Sequence, residues 1–150
     1  MQIQETFTVD APPATVWKFF EDIERVARCV PGVQSVDVLG PDRYKVLATQ
    51  KVGFISATFE IYTEVLEKEA PSRLVLSNQG RTILGANGSL KSRDTIILTP
   101  APGDATEVKV DSELTLGGKL AILGAKLIEA KSREIFAEAT SNLRAKASAA

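Results

Sequence analysis

The sequence predicts an α+β fold: a curved antiparallel sheet of about seven strands wrapped around a long C-terminal helix, with two short helices after the first strand. Three observations carry this prediction. Stretches of alternating apolar and polar residues recur between Val33 and Leu116, each closed by Gly, Pro, Asn or Asp, as in hairpin-connected strands. From Lys119 to Lys146 the chain turns to good helix formers bearing a broad apolar stripe. Helical segments are confined to the two ends, which argues for α+β with a mostly antiparallel sheet. A sheet this wide does not stay flat, and curling around the helix leaves a cavity between the two.

The elements follow in order. Gln2 to Asp10 alternates, with Ile3, Phe7 and Val9 among polar neighbours, and Ala11-Pro12-Pro13 breaks it. Pro13 suits the first turn of a helix, where its missing N–H costs nothing, and Val16, Trp17, Phe19 and Phe20 give that helix an apolar side. Asp22 is a plausible N-cap for a second short helix through Cys29, ended by Pro31-Gly32. Strands are expected over Val33–Leu39, Arg43–Val52, Phe54–Glu69, Arg73–Gln79, Ser89–Thr99 and Thr106–Leu116. Gly85-Ala86-Asn87-Gly88 reads as a loose lid, and Gly117-Gly118 as a sharp turn or a hinge. The helix stripe is Leu120, Ala121, Gly124, Leu127, Ile128, Ile135, Phe136, Ala139 and Leu143, with Lys126, Lys131, Arg133, Glu134 and Arg144 elsewhere. No repeat or linker interrupts the pattern, so residues 1–150 read as one domain.

Composition narrows the chemistry. The 150 residues hold 18 Lys plus Arg against 19 Asp plus Glu, a net charge of −1 that offers no basic field for nucleic acid. With no histidine, the commonest general base, the commonest zinc ligand and the histidine triads are absent. The one cysteine, Cys29, can form neither an intrachain disulfide nor a thiolate cluster; at a helix C-terminus it reads as a buried, inert thiol. No signal peptide and no membrane-spanning run are seen, so the cytoplasm is the expected location.

If the sheet wraps the helix, the inward set can be written down. Strand alternation gives Tyr44, Val46, Ala48 and Gln50; Ile55, Ala57 and Phe59; Leu76 and Asn78. It continues with Leu90, Ser92, Asp94 and Ile96, then Val110, Ser112 and Leu114, and the helix adds Leu120, Gly124 and Leu127. Apolar walls with a few placed polar groups are the make-up of a ligand pocket. The competing reading is that long neighbours pack over the small positions and leave no space. Gln50, Asn78, Ser92, Asp94 and Ser112 must pair with one another, with water or with a ligand head, unless a register slip puts them outside. Asp94 is the only inward acid; its pKa would be raised if it lay alone in an apolar cavity, whereas at a strand end it would be solvated. Ile83, Leu84, Ile122 and Leu123 would together make an apolar rim for membrane or a partner.

Four segments carry a family resemblance: Phe7-Thr8-Val9-Asp10-Ala11-Pro12 leading to Val16-Trp17-Lys18-Phe19; Arg28-Cys29-Val30-Pro31-Gly32; Lys51-Val52-Gly53-Phe54; and Gly118-Lys119-Leu120-Ala121-Ile122-Leu123-Gly124. The chain resembles the carbon monoxide dehydrogenase G-subunit (CoxG) family of the START/SRPBCC helix-grip superfamily, over nearly its whole length. The proline-aromatic opening belongs to the superfamily; the Cys-x-Pro-Gly and Gly-x-Leu-Ala-x-Leu-Gly segments are more particular to the family. The resemblance implies a non-catalytic accessory protein, without cofactor, for a molybdenum hydroxylase of the carbon monoxide dehydrogenase type. It implies a carrier of an apolar molecule, with menaquinone- or ubiquinone-type respiratory quinone the leading candidate. Some members carry a C-terminal tail associated with membrane; this sequence stops at Ala150, so transient contact at the inner membrane face is expected rather than stable anchoring. Two alternatives stand beside this: an assembly or recruitment factor acting through its surface, and a cyclase or hydrolase using the superfamily's cavity. The latter needs cooperating groups, and Asp94 with Tyr44 or Gln50 is the only combination on offer.

Overall fold

The computed structural model describes residues 1–123 and 125–148. Strand β1 (Gln2–Val9) buries Ile3, Phe7 and Val9, as the alternation requires. Helix α1 (Pro13–Phe20) starts on Pro13 and buries Val16, Trp17, Phe19 and Phe20. Helix α2 (Ile23–Arg28) is capped by Asp22, whose carboxylate accepts the Arg25 N–H at 3.3 Å. The remaining strands are β2 (Val33–Gly40), β3 (Arg43–Val52), β4 (Ile55–Glu69), β5 (Arg73–Gly85), β6 (Gly88–Ala101) and β7 (Ala105–Gly118).

All pairings are antiparallel, and the seven-stranded order is β1-β7-β6-β5-β4-β3-β2. From β2 to β7 the sheet is a simple meander, and β1 returns to pair with β7. This is the expected fold class. The β5–β6 region differs from expectation. Strand β5 runs on to Gly85 rather than ending at Gln79, because residues past Gly80 continue to pair with β4, ending at Gly85 opposite Ala57. The expected loose lid is thereby reduced to a tight connection with only Ala86 and Asn87 between strands. It is also fastened: the Gly88 N–H donates to Thr82 Oγ1 at 2.9 Å, and the Lys119 N–H donates to the Asn87 carbonyl at 2.9 Å.

The long helix is the other correction. It comes as a single turn, α3 (Lys119–Ile122), and then α4 (Ala125–Ala147). At the end of α3 the Leu123 N–H reaches the Leu120 carbonyl, a tightened i→i+3 closure that stops the α-helical ladder. The single stripe drawn through both pieces fails at its start: Ala121 and Leu127 are exposed.

Two apolar clusters hold the layers together. The main one joins β1, α1, the β5–β7 strands and the end of α4 through Phe7, Phe19, Phe20, Leu74, Leu98, Val108 and Leu143. A smaller one, Ala57, Phe59 and Leu120, joins α3 to β4 at the other end. Helix α4 is further pinned near its C-terminus, where Arg144 Nε donates to the Thr8 carbonyl (3.1 Å) and Asn142 Nδ2 to the Cys29 carbonyl (2.9 Å). Leu74, with no exposed surface, sits in the main cluster. Leu74→Ala should cost about 2–5 kcal/mol of stability, read as a lowered urea midpoint with an unchanged slope.

Candidate functional site

Between the concave face of the sheet and helices α2 and α4 lies a cavity of about 350 Å³. At roughly 30 Å³ per water, that is space for about a dozen waters. It falls at the small end of small-molecule pockets. Its lining is mostly aliphatic and aromatic, and Asp94 and Lys131 are its only charged members among the described residues.

Most of the inward set reaches this cavity. Val46, Ala48, Gln50, Phe59, Leu76, Asn78, Leu90, Ser92, Asp94, Ile96, Val110, Ser112, Leu114 and Leu120 all line it. Tyr44 does not: it packs against the main core cluster, past the end of the cavity. Ala57 is consumed by the smaller cluster at 3% exposure, and Ile55, two residues earlier at the strand end, is half-buried without lining the cavity. Leu127 is 43% exposed and lies over Gly53. Gly124 falls outside the described residues.

Several lining residues lie beyond the inward set. Ile23, Val26, Ala27 and Val30 face the cavity from α2 and the turn after it, and their i, i+3, i+4, i+7 spacing is a readable signal. Thr63 follows Ile61 by two residues on β4 and shares its face, so strict alternation includes it. From α4 come Ile128, Ser132, Ile135, Phe136, Ala139, Thr140 and Leu143, and also Lys131, which the stripe places elsewhere. The Lys131 ammonium is 3.7 Å from Glu134, so its stem packs inward while its charge finds a carboxylate.

The polar members form one row across four strands. Register puts Thr63 opposite Asn78, Asn78 opposite Ser92, and Asp94 opposite Ser112. Thr63 Oγ1 donates to Asn78 Oδ1 at 2.6 Å. Asn78 Nδ2 donates to Ser92 Oγ at 3.0 Å and to Asp94 Oδ2 at 2.8 Å. Ser112 Oγ donates to Asp94 Oδ1 at 2.6 Å. Burial pushes the Asp94 carboxyl above its usual range, and the hydrogen bonds from Ser112, Asn78 and Ser92 offset this in part. What accessibility Asp94 keeps comes from the cavity it lines.

Gln50 stands apart from this row. One hydrogen of its amide is given to the Pro31 carbonyl at 2.7 Å, so it clamps the turn after α2 while still lining the cavity. Cys29 is fully buried, and burial raises its thiol above the usual value. It is not poised as a nucleophile.

The profile of the carbon monoxide dehydrogenase G-subunit (CoxG) family matches residues 6–148. The chain belongs to the CoxG family. Among solved structures it is similar to a conserved protein from Geobacillus kaustophilus, at TM-score 0.87 and 18% identity over 98% of this chain and 95% of that one. It is also similar to a START superfamily protein from Mycobacterium smegmatis, at TM-score 0.70 and 14% identity over 97% and 96% of the two chains. The Zhui aromatase/cyclase from Streptomyces sp. R1128 shares the fold at TM-score 0.68 and 16% identity, over 98% and 93%. At such identities the likeness is one of fold, the START-type helix-grip. A search of the curated proteins finds no significant match.

In this CoxG-family chain the two more particular segments have structural work. Gly32 adopts φ +88°, and a Cβ there would sit 2.3 Å from the Thr49 carbonyl oxygen, so the Cys-x-Pro-Gly turn can lie against β3 only with glycine. Gly117 and Gly118 pair with Ser89 and Gly88 as the last rungs of the β6–β7 ladder. That is turn chemistry and close packing, and Leu120 lies directly over Gly88.

The Asp94 shift has a consequence for stability. A carboxyl whose folded pKa lies above the usual 3.8 contributes stability that is full below that value and is lost as pH rises through the folded pKa. Asp94→Asn removes this loss. The urea midpoint of wild type should therefore fall relative to the variant as pH rises, with the gap closing toward about pH 4.

Proposed function

We propose that this CoxG-family protein is a non-catalytic carrier of an apolar small molecule with a compact hydrogen-bonding head. Its cargo is a respiratory quinone of the menaquinone or ubiquinone type. The single observation that supports this best is the cavity itself, mostly apolar in its lining, with one connected polar row on the sheet. A head group fits on the row, and the small volume admits only a short length of chain behind it. A longer tail would extend outside or displace α4, which is pinned near its C-terminal end.

The protein's client is a molybdenum-containing hydroxylase of the carbon monoxide dehydrogenase type, a reading supported by the family's description as a carbon monoxide dehydrogenase subunit. The carrier works in the cytoplasm and meets the inner membrane face transiently. The surface supports such contact at one end. Phe54, Leu84, Ile122 and Leu127 are exposed there, around the β3–β4 and β5–β6 turns and the start of the helical segment. Lys51, Lys119 and Lys126 stand beside them, and an apolar tip with flanking cations suits an anionic bilayer. Among the described residues no helix is long and apolar enough to cross a membrane.

A non-catalytic role is supported by the lining. The Ser112 hydroxyl has Asp94 beside it, but that carboxyl is itself tied to Asn78, and Lys131 is turned to Glu134, so the lining offers this one pair without a second acid or base in contact with it among the described residues. The test is native mass spectrometry with lipid extraction on protein purified from its source organism. Co-purifying quinone is the expected result. Repeated recovery of empty protein, with no uptake from quinone-loaded liposomes, would overturn the proposal in favour of an assembly factor acting through its surface. Ala139→Phe, which fills the cavity from α4, should weaken quinone uptake about tenfold or more, equivalent to roughly 1.4 kcal/mol.

A further inference from the structure

The polar row can be counted hydrogen by hydrogen. Thr63 gives its hydroxyl hydrogen to Asn78, and Asn78 gives both amide hydrogens, one to Ser92 and one to Asp94. Ser112 gives its own to Asp94. With Asp94 ionised, the remaining Ser92 hydrogen also has an acceptor in the carboxylate, so every hydrogen is used inside the row. The wall then presents a negative charge and no donor. With Asp94 neutral the count changes. A hydrogen on Oδ1 is given to Ser112 Oγ, which releases the Ser112 hydrogen, while Oδ2 remains an acceptor for Asn78 and Ser92. One donor then has no partner within the row, and Ser112 lines the cavity.

The surroundings favour the neutral form. Strands β5 and β7, which flank Asp94, present only neutral side chains to it: Leu76, Asn78, Val110 and Ser112. On β1, Ile3 is paired with Ser112, and Glu5 shares that face without lining the cavity. From α4 the one charged side chain among the described residues is Lys131, held at Glu134, and α2 contributes none. Tyr44 on β3 is neutral and lies past the end of the cavity. No cation among these compensates the burial of Asp94, and burial dominates its protonation.

We propose that the row is a head-group site for an uncharged oxo acceptor, a quinone or ketone carbonyl, to which Ser112 donates when Asp94 is neutral, so that ligand and proton are taken up together wherever the empty protein holds Asp94 ionised. This rests on the carrier reading and adds to it the chemistry of the head. Apolar side chains border the row on both sides, Leu76 and Ile96 toward the main core and Leu90 and Leu114 toward the α3 end. A carbonyl head on the row therefore has its ring or chain in apolar surroundings. The proton comes from solvent and no covalent bond changes. By linkage, the bound carbonyl raises the proton affinity of Asp94 by the same factor that the proton raises affinity for the carbonyl. Release is favoured wherever the pH rises or the carbonyl is reduced to a hydroxyl that no longer needs a donor.

The test is calorimetric titration of the delipidated protein with a benzoquinone carrying a decyl tail, in buffers of different ionisation enthalpy. The expected result, at a pH above the Asp94 pKa of the empty protein, is net uptake of a fraction of a proton per quinone, with affinity falling as the pH rises through that pKa. In Asp94→Asn both effects should vanish, and Ser112→Ala should weaken binding about tenfold or less, the scale of one hydrogen bond. The carboxyl carbon resonance of Asp94 in wild type, followed with and without the quinone, gives the same answer without a variant: its titration should move to higher pH on binding. Quinone that binds with pH-flat affinity and no proton uptake overturns this inference and leaves the carrier reading standing. So does a matched aliphatic probe that binds while the quinone does not. Failure of quinone and aliphatic probe alike to bind overturns the carrier reading and the head-group site with it.

Discussion

One helix cannot fill the concavity of a seven-stranded sheet, and the rest of this molecule follows from where the shortfall is left. Aromatic side chains from α1 close one end, together with the C-terminal part of α4. The single turn of α3 closes the other by setting Leu120 against Ala57 and Phe59. Held off the sheet at two separated points, the middle of α4 cannot collapse onto it. The space between is therefore a product of packing at the ends rather than of weak packing in the middle. Small residues at Ala48, Ser92, Ser112 and Ala139 keep the walls low where the helix passes.

Much of this is legible in the sequence, for a definite reason. Period-two alternation is strict in β6 and β7, so Ser92, Asp94 and Ser112 can be assigned to the inner face from the residue pattern alone. Alternation reports the face and says nothing of position along the strand. That is why Tyr44 has the right parity and still misses the cavity, packing into the main core cluster beyond its end. Thr63 has the right parity too, but a polar residue between Ile61 and Val65 does not advertise itself as inward. Lys131 could not be read at all: a stem that packs and a head that reaches Glu134 satisfies both rules of amphipathicity at once.

The two segments most particular to the family are scaffold rather than chemistry. Cys29-Val30-Pro31-Gly32 is held by two separate elements. Asn142 of α4 binds the Cys29 carbonyl, while on β3 Gln50 binds the Pro31 carbonyl and the Thr49 N–H binds the Gly32 carbonyl. The turn thus fixes α2 as a side wall. The glycines before α3 let β6 and β7 end close together, so that Leu120 can fold back over Gly88. In this chain both segments hold the space open, while the polar groups that line it are ordinary serines, a threonine, an asparagine and one acid.

The position of β1 bears on how the chain is made. Its eight residues pair only with β7, Gln2 opposite Glu113 and Val9 opposite Thr106, so the first strand synthesised waits for the last. Every other rung of the sheet joins neighbours in sequence and can form as the chain emerges. Closing a loop of this length is slow compared with zipping hairpins. Until it closes, the meander leaves β7 as a free edge beside an apolar trough, the kind of surface that recruits chaperones or aggregates. The cavity, which also needs α4 from the end of the chain as a wall, is therefore among the last features of the molecule to exist.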